Sequence, residues 1–375
     1  MREESYFQKM IMKRIFSLFI ITFVCQKLFA QHSLEQVLQM QSLPKLYQAH
    51  KINSLIQIDG KDDDKVWKIA NWSDEFVDIE GANKAKPKYN TKVKMLWDDQ
   101  HLYIYAKMDE PHIWGTLNQH DAIIYHDNDF EVFIKPNIHQ APYYEIEINT
   151  FNTIMDLMMP KPYRFGGQAI MHWDAKNIKS AIHIEGTNNN SSDIDKYWSV
   201  EMAIPFQSLA NFATAITPKT NSYWRLNFSR VQWKHDIVDG HYTRKRENGK
   251  YLPEDNWVWS PIGLINMHYP ERWGYLQFVE GKSEEYKFPN SYALERITWN
   301  IHYFQKLHFD RHHQYSSTLE NLKPYLQHID MQWDDFDYQF TLNRDQSFYQ
   351  IEIKDLHHKL ISTIDSHGHY HLRHE

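Results

Sequence analysis

Three segments between residues 92 and 149 alternate apolar and polar side chains with a period of two. They cover residues 92–108, 127–136 and 143–149, and they are rich in β-branched and aromatic residues. This pattern is typical of half-buried β-strands, because successive side chains of a strand point to opposite faces of a sheet. A polar turn at residues 98–101 and a proline-bounded turn at 136–142 therefore predict two hairpins.

The alternation predicts that the second hairpin has one apolar face and one acidic face. The apolar side carries Phe130, Val132, Ile134, Ile146 and Ile148. The opposite side carries Glu131, Phe133, Glu145, Glu147 and Asn149. Antiparallel pairing brings Glu131 close to either Glu145 or Glu147, depending on the register of the two strands.

The composition limits the class of protein. The chain has 375 residues, of which 42% are hydrophobic, and this is enough for one large domain or two. A net charge of -7 provides no basic surface for nucleic acid. The presence of only 12 glycines argues against a glycine-rich nucleotide-binding fold. We therefore predict that nucleic acid is not a partner.

Residues 1–30 have the pattern of a secretory signal peptide. Lys13 and Arg14 precede an apolar run at residues 15–24, and the segment ends with the small residue Ala30. The run is too short to span a membrane as a helix. We predict cleavage after Ala30, secretion to the periplasm or the cell exterior, and no membrane insertion of the mature chain. A lipoprotein anchored at Cys25 is the alternative, although the residue before it is not small.

Many short strand patterns, joined by turns rich in proline and asparagine, continue as far as residue 280. They predict a mainly β fold, an antiparallel β-sandwich of jelly-roll-like form, over residues 31–280. A change in composition at residues 281–285 predicts a linker. Helical spacing at residues 292–307 and four later strand patterns predict a small C-terminal α+β appendage, a helix plus a β-meander, over residues 281–375.

The order of motifs along residues 55–280 resembles family 9 carbohydrate-binding modules, and in particular the stand-alone secreted family 9-like proteins of Bacteroidetes. The motifs are Ile-Asp-Gly-Lys-x-Asp at 58–63, Val-Trp at 66–67, Val-Lys-Met-Leu-Trp-Asp-x-x-x-Leu-Tyr-Ile-Tyr-Ala at 93–106, Asn-Asp-Phe-Glu-Val-Phe-Ile at 128–134 and Trp-Gly-Tyr-Leu-Gln-Phe at 273–278. The set is specific when it is taken together. The resemblance implies a β-sandwich that binds an oligo- or polysaccharide and requires no cofactor, often with structural calcium.

The resemblance also implies particular site residues. Tyr125 occupies the position of an aromatic that stacks on the sugar, where the xylanase-linked modules have tryptophan. Glu131 matches a strand carboxylate that accepts hydrogen bonds from sugar hydroxyls. On the following strand, Asn149 is kept, whereas Glu147 stands at about the position of a basic residue. These two departures, at Tyr125 and Glu147, leave the family's ligand specificity open for this chain.

Further candidates follow from the chemistry of a sugar ring, which offers an apolar C–H face and a rim of hydroxyls. Trp257 or Trp259 is the candidate for a second stacking aromatic that the resemblance implies before the closing strand. Trp114 is a candidate for a further aromatic face. Arg230 either holds the ligand or pairs with a carboxylate of the sheet.

The types of residue present allow two candidate metal sites. Asp127 and Asp129, with nearby carbonyl groups, are candidate calcium ligands because calcium prefers oxygen, and Asp127 is also a candidate hydrogen-bonding group for sugar. His367, His369 and His371 alternate along one strand face. These histidines are either zinc ligands or plain solvated side chains.

Two rival functions remain open beside carbohydrate binding. A pair of glutamates that face each other on a sheet could act as the carboxylates of a glycosidase. The chain lacks a Ser-His-Asp order, a zinc-helix motif and a phosphate loop, so we predict a non-enzymatic protein. A heme- or protein-binding sandwich would require His112, Met108 or His126 as an iron ligand, which their spacing does not demand.

Overall fold

The computed structural model describes residues 32–212, 217–281 and 285–375. The predicted signal peptide and most of the predicted linker lie outside the described residues. The α-helices are α1 (Leu34–Gln39), α2 (Tyr292–His312) and α3 (Lys323–Leu326). Short 3-10 helices lie at Lys65–Ile69, Ile124–His126, Tyr163–Phe165, Phe206–Phe212, Pro270–Arg272, Glu320–Leu322 and Trp333–Asp335.

The described residues form twenty β-strands. They are β1 (Leu46–Lys51), β2 (Val77–Asp78), β3 (Thr91–Trp97), β4 (His101–Asp109), β5 (Asp129–Lys135), β6 (Tyr143–Asn149), β7 (Ile154–Met159), β8 (Lys179–Glu185), β9 (Tyr197–Pro205), β10 (Tyr223–Gln232), β11 (His235–Val238), β12 (His241–Arg244), β13 (Arg246–Glu247), β14 (Lys250–Tyr251), β15 (Asp255–Val258), β16 (Gly274–Val279), β17 (Phe336–Leu342), β18 (Tyr349–Asp355), β19 (Leu360–Asp365) and β20 (His371–His374). Both predicted hairpins, β3–β4 and β5–β6, are present.

The main sheet runs in the order β7-β6-β5-β10-β16-β1-β3-β4-β9-β8, and β15 joins β10 to β2. Neighbouring strands are antiparallel, except that β1 lies parallel to both β16 and β3. The local pattern of residues 31–55 predicts only a short helical or irregular lead-in, so it misses β1. The reason is physical, since β1 pairs with strands far along the chain and its own residues carry a weak local pattern.

The two ends of the main sheet enclose one apolar core, which gives the predicted sandwich. One end contributes Val93, Met95, Ile104, Val200 and Met202. The other end contributes Phe130, Val132, Ile146, Leu226 and Phe228. All ten side chains are fully buried, so the apolar face predicted for the β5–β6 hairpin is the core face. The prediction of a mainly β sandwich is confirmed.

The register of the β5–β6 hairpin decides which glutamates are paired. Glu131 lies opposite Glu147, and Phe133 lies opposite Glu145. Asp129 lies opposite Asn149 at the end of the ladder. Three acidic side chains of the outer face therefore lie on adjacent strands within two residues of one another.

The C-terminal helix α2 lies against the outer face of the same sheet. Ile297, Ile301 and Phe304 of the helix share an apolar cluster with Phe133 and Tyr143 of β5 and β6. The predicted helix and the four-stranded meander β17-β18-β19-β20 are both present. The position of the domain boundary near residue 281 stays a prediction. None of the helices in the described part of the chain is long and apolar enough to cross a membrane.

Candidate functional site

Four carboxylates are concentrated on the outer face of β5 and β6. We call Asp129, Glu131, Glu145 and Glu147 the acidic face. Alternation along each strand directs them away from the sandwich core, yet each side chain is no more than 5% exposed. Burial of four like charges is costly unless protons, hydrogen-bond donors or ligands compensate them.

Few hydrogen-bond donors reach this acidic face. Glu147 Oε2 accepts the backbone N–H of Tyr125 at 2.9 Å, and Asp129 Oδ1 accepts that of Val231 at 3.3 Å. Asp129 Oδ2 and Glu145 Oε2 are buried without a hydrogen-bond partner. One oxygen from each of Asp129, Glu131 and Glu147 lies within 4.8 Å of the others. The arrangement can accept hydrogen bonds from a ligand, hold a cation, or keep protons.

Burial shifts the titration of all four groups upward. It raises the pKa of Glu131 to about 7 and that of Glu145 to about 8, because the charged form is disfavoured away from water. Burial and the charges of the neighbouring carboxylates hold the pKa values of Asp129 and Glu147 well above their usual range. The acidic face is therefore partly protonated near neutral pH, so that it both donates and accepts hydrogen bonds.

Two half-exposed tyrosines border the acidic face. Tyr125 is 41% exposed and Tyr163 is 44% exposed. The backbone of Tyr125 is held by its N–H bond to Glu147 and by a 2.8 Å hydrogen bond from Trp233 Nε1 to its carbonyl oxygen. Burial, with a smaller contribution from the charges of Glu145 and Glu147, raises the pKa of Tyr163, so its phenol is within electrostatic range of these carboxylates. These two side chains offer exposed aromatic surface beside hydrogen-bonding groups.

The predicted second stacking aromatic is not at the surface. Trp257 is 4% exposed and Trp259 is 1% exposed, and both belong to the core of the sandwich. The guanidinium group of Arg230 lies 5.1 Å from the ring of Trp257. A Cβ atom at Gly274 would come within 2.4 Å of Trp259, so the backbone closely covers that ring. Both tryptophans are packing residues in this structure, which corrects the interpretation of them as stacking faces.

Trp114 and Arg230 are also buried. Trp114 is 2% exposed and lies in a separate cluster with Val231, Trp233 and Tyr242. Arg230 donates to Glu110 Oε2 at 3.0 Å and to the carbonyl of Asp109 at 2.9 Å. The second of the two roles proposed for Arg230, pairing with a carboxylate, is the one observed, and Trp114 offers no free face to a ligand.

Asp127 and Asn149 hold loops together. Asp127 accepts backbone N–H groups from Thr116 and Leu117 at 2.7 and 2.9 Å, and the side chains of Thr116 and Asn149 at 2.7 and 3.0 Å. Asn149 also donates to the carbonyl of Leu117 and accepts the N–H groups of the turn at residues 151 and 153. With their hydrogen-bonding capacity used in this way, neither fits the predicted role of ligand or calcium contact.

The histidines of the rival interpretations have other contacts. His112 Nδ1 lies 3.1 Å from the hydroxyl of Tyr242, His126 packs on the ring of Tyr125, and Met108 lies in the sandwich core. In the C-terminal meander, His369 pairs with Asp365 at 2.8 Å. Within the described residues, the clusters that gather three or more potential metal ligands do not include His367, His369 or His371.

Comparison with known proteins supplies the context for this geometry. A model of the family described as carbohydrate family 9 binding domain-like matches residues 58–247, which is half of the chain. This chain belongs to that family. Carbohydrate is accordingly the class of partner that family membership indicates.

Individual relatives are more distant. Endo-1,4-beta-xylanase C of Paenibacillus barcinonensis is 34% identical over 140 residues, which are 36% of this chain. The matched part spans 12% of the length of that xylanase. A protein of Bacteroides uniformis described as carbohydrate-binding superposes with a TM-score of 0.47 at 14% identity, covering 63% of this chain and all of the other. A family 9 carbohydrate-binding module of Caldicellulosiruptor kristjanssonii, solved with cellotriose, superposes with a TM-score of 0.41 at 16% identity, covering 65% of this chain and 98% of the other.

Of the residues predicted for the family 9 site, the structure brings together Tyr125, Glu131 and Glu147, with Asp129 beside them. Their function in ligand binding stays a prediction. Sequence reasoning missed Tyr163, which the pattern assigns only to a loop. It also missed Glu254, whose charge further raises the pKa of Glu131. Neither residue lies in a periodic segment, so the sequence pattern does not indicate their relation to the acidic face. That relation depends on how their loops fold back towards the sheet.

Proposed function

We propose that this protein is an exported carbohydrate-binding protein without catalytic activity of its own, and that sugar binds over the acidic face between Tyr125 and Tyr163. The observation that carries the proposal is the group of under-partnered buried carboxylates beside two half-exposed tyrosine rings, in a member of a carbohydrate-binding family. The signal-peptide pattern of residues 1–30 supports export.

Glu131 and Glu145 are the carboxylates that a ligand meets first. Each retains about 5% exposure, against 0% for Asp129 and 2% for Glu147. Sugar hydroxyls donate to Glu131 and Glu145, and the C–H face of the ring packs on an exposed tyrosine.

The charge of the site narrows the class of sugar. All four groups of the acidic face are carboxyls, and Glu147 stands where the family resemblance implies a basic residue. Ligands that carry carboxylate or sulfate groups meet no cationic partner among these four residues, and any ionised member of the face repels them. We therefore expect neutral glycans, or glycans with free amino groups, to bind better than polyuronates or sulfated glycans.

The experiment is a glycan array on the mature chain, followed by calorimetry with the glycan that binds. Tyr125→Ala and Tyr163→Ala are expected to weaken binding by about 1–3 kcal/mol each, the scale of losing a buried aromatic contact. Trp72→Ala is the matched control, because Trp72 is 40% exposed but packs on Tyr105, on the outer face of β4. Unchanged binding in both tyrosine variants would exclude this face as the sugar site.

A catalytic function would use the same carboxylates, although membership of a carbohydrate-binding family does not favour it. A carboxyl with its pKa raised to about 7, as in Glu131, is suited to act as a general acid. A reducing-sugar assay on the glycan identified by the array separates the two functions. Product release that disappears in Glu131→Gln would indicate an enzyme, whereas binding without product release supports the proposed module.

Calcium is a further proposed occupant of this face. Asp127 does not fit, because its oxygens already accept four donors. Asp129, Glu131 and Glu147 fit in donor chemistry, since calcium prefers carboxylate oxygens and Asp129 Oδ2 lacks a partner. Bound calcium would neutralise these carboxylates. Calorimetry with calcium chloride on wild type, Glu147→Gln and Asp127→Asn tests this: uptake that depends on Glu147 supports it, and uptake lost in Asp127→Asn alone contradicts it.

A further inference from the structure

A second group of potential metal ligands lies at the edge strand β7, apart from the acidic face. It consists of His120, Asp121, Asp156 and Asp174, which come from three separate segments of the chain. Each residue offers one ligand atom, and the four atoms lie within 4.8 Å of one another. His120 Nε2 lies 3.2 Å from Asp174 Oδ1, 3.6 Å from Asp121 Oδ1 and 4.0 Å from Asp156 Oδ1.

Asp156 distinguishes this group from an ordinary acidic surface. Its side chain is buried, with the residue 1% exposed, and Oδ2 accepts the backbone N–H of Ala175 at 2.5 Å. The other oxygen, Oδ1, is buried without a hydrogen-bond partner and is the atom that faces His120. A buried carboxylate oxygen without a partner is costly, so a cation or a hydrogen-bond donor at this point would be stabilising.

The spacing suits a single ion. Two atoms that each bind zinc at about 2.0–2.2 Å can be no more than about 4.4 Å apart. The three distances from His120 Nε2, 3.2, 3.6 and 4.0 Å, all fall within that limit. The group is also open to solvent on one side, because His120, Asp121 and Asp174 are between 37% and 57% exposed at their side chains.

The donor set selects the class of ion. Imidazole nitrogen combined with carboxylate oxygens suits divalent zinc or manganese, whereas calcium and magnesium prefer an all-oxygen shell. We propose that His120, Asp121, Asp156 and Asp174 form a binding site for a divalent transition-metal ion, with zinc the preferred occupant. Three carboxylates and one neutral imidazole leave a net charge of −1 around the bound ion.

The site would join three parts of the structure. Asp156 belongs to β7, Asp174 to the loop that follows residue 170, and the other two ligands to the loop that leads to the 3-10 helix Ile124–His126. That short helix contains Tyr125. A bound ion would therefore restrain the loop that leads to Tyr125, but the metal site does not depend on whether sugar binds at the acidic face.

The competing explanation is that protonated His120 itself compensates the three carboxylates. In that case the 3.2 Å contact between His120 and Asp174 is an ion pair, and no metal is required. The two explanations differ in the number of zinc ions that the protein binds at this position. An ion pair predicts no zinc uptake that depends on Asp121 or Asp174.

The test is calorimetric titration of the chelator-treated mature chain with zinc and, separately, with manganese. We expect one ion to bind to wild type, and Asp121→Asn combined with Asp174→Asn to weaken it by more than the roughly 10–100-fold typical of losing an outer-shell partner. Both substituted side chains are partly exposed, so the variant should fold. A thermal melt checks this, and zinc should raise the melting temperature of wild type but not that of the variant.

Two control variants separate this site from other ligands. His308→Ala with His312→Ala removes a helical histidine pair whose rings are 4.3 Å apart, and Glu131→Gln alters the acidic face. Both controls should retain the ion. Anomalous diffraction from zinc-soaked crystals should place a peak among the four ligands. Equal uptake in wild type and the double aspartate variant, or a peak elsewhere only, would overturn the proposal.

Discussion

Two outer faces of the sandwich bury carboxylates, and they differ in how those carboxylates are compensated. Glu201 of β9 is fully buried, and its Oε1 accepts Trp67 Nε1–H at 2.9 Å. Its Oε2 accepts the backbone N–H groups of Asp59 and Gly60 at 2.8 and 3.0 Å. On the acidic face, by contrast, buried oxygens of Asp129 and Glu145 lack any such donor.

The contrast separates a structural carboxylate from a candidate ligand site. The three donors to Glu201 all come from residues 59–67, the part of the chain that carries the first family motif. Gly60 is needed there, since its φ is +86° and a Cβ atom would come within 2.6 Å of the backbone nitrogen of His183. Glu201 thus fastens that segment to the sheet, whereas the acidic face keeps acceptors free for a proton, a cation or a sugar hydroxyl.

Arg230 is another buried charged residue that has its hydrogen-bond partners. Its replacement should have the largest effect on the free energy of unfolding. Arg230→Ala leaves Glu110 buried without its 3.0 Å partner, and breaking a buried ion pair in this way costs about 3–5 kcal/mol. Denaturant unfolding measures the loss, with Arg246→Ala on the exposed hairpin β13–β14 as control. If Arg230→Ala lowered sugar affinity while leaving stability intact, the assignment of Arg230 to packing would be wrong.

Glu201→Ala should have the next largest effect. The change leaves the donors of Trp67, Asp59 and Gly60 without an acceptor, at a cost of about 3 kcal/mol in unfolding free energy. Glu201→Gln keeps one acceptor oxygen and should cost less. Equal stability of Glu201→Ala and wild type in a denaturant titration would contradict a structural role.

Glu131→Gln should increase the stability of the fold, and the size of the increase should depend on pH. Burial raises the pKa of Glu131 from 4.5 to about 7, so the folded state holds this proton more tightly than the unfolded chain. Stability from this group is therefore present below about pH 4.5 and is lost as the pH rises through about 7. At pH 8 the variant should be more stable than wild type by on the order of 2 kcal/mol, and the gain should shrink towards pH 5.

Measurement of both proteins at each pH isolates this group. Burial lowers the pKa values of His32 and His268 to about 4, and these histidines destabilise the fold at acid pH in both proteins alike. Their contribution cancels in the difference between variant and wild type. A difference that stays constant from pH 5 to pH 8 would show that Glu131 is charged throughout and compensated by a group such as a cation.

The smallest effect on stability is expected at the tyrosines that border the acidic face. Tyr125→Ala and Tyr163→Ala remove rings that are about half exposed, and changes at exposed positions usually stay within about 0.5 kcal/mol. Thermal unfolding is the measurement. A large loss of stability in either variant would mean that the ring supports the fold. Weaker sugar binding by that variant would then not be evidence for a direct contact with sugar.

The sequence alone was sufficient for the sandwich and for the direction of its side chains. Period-two alternation is a local property, so Phe130 and Glu131 were assigned to opposite faces without knowledge of any partner strand. The family motifs add carbohydrate as the partner class. The candidates Tyr125, Glu131 and Glu147 followed from their positions beside the Glu-Val-Phe strand.

Tertiary structure decided which polar and aromatic residues are covered. The chemistry of four residues makes them candidates for a sugar site: Trp257, Trp259, Trp114 and Arg230. Their burial, however, depends on segments far away in the chain, which periodicity does not report. The β5–β6 register placed Glu147, and not Glu145, opposite Glu131. The return of the loop at residues 161–167 brought Tyr163 to the same carboxylates, because packing at the surface of a sheet is set by contacts that no local pattern contains.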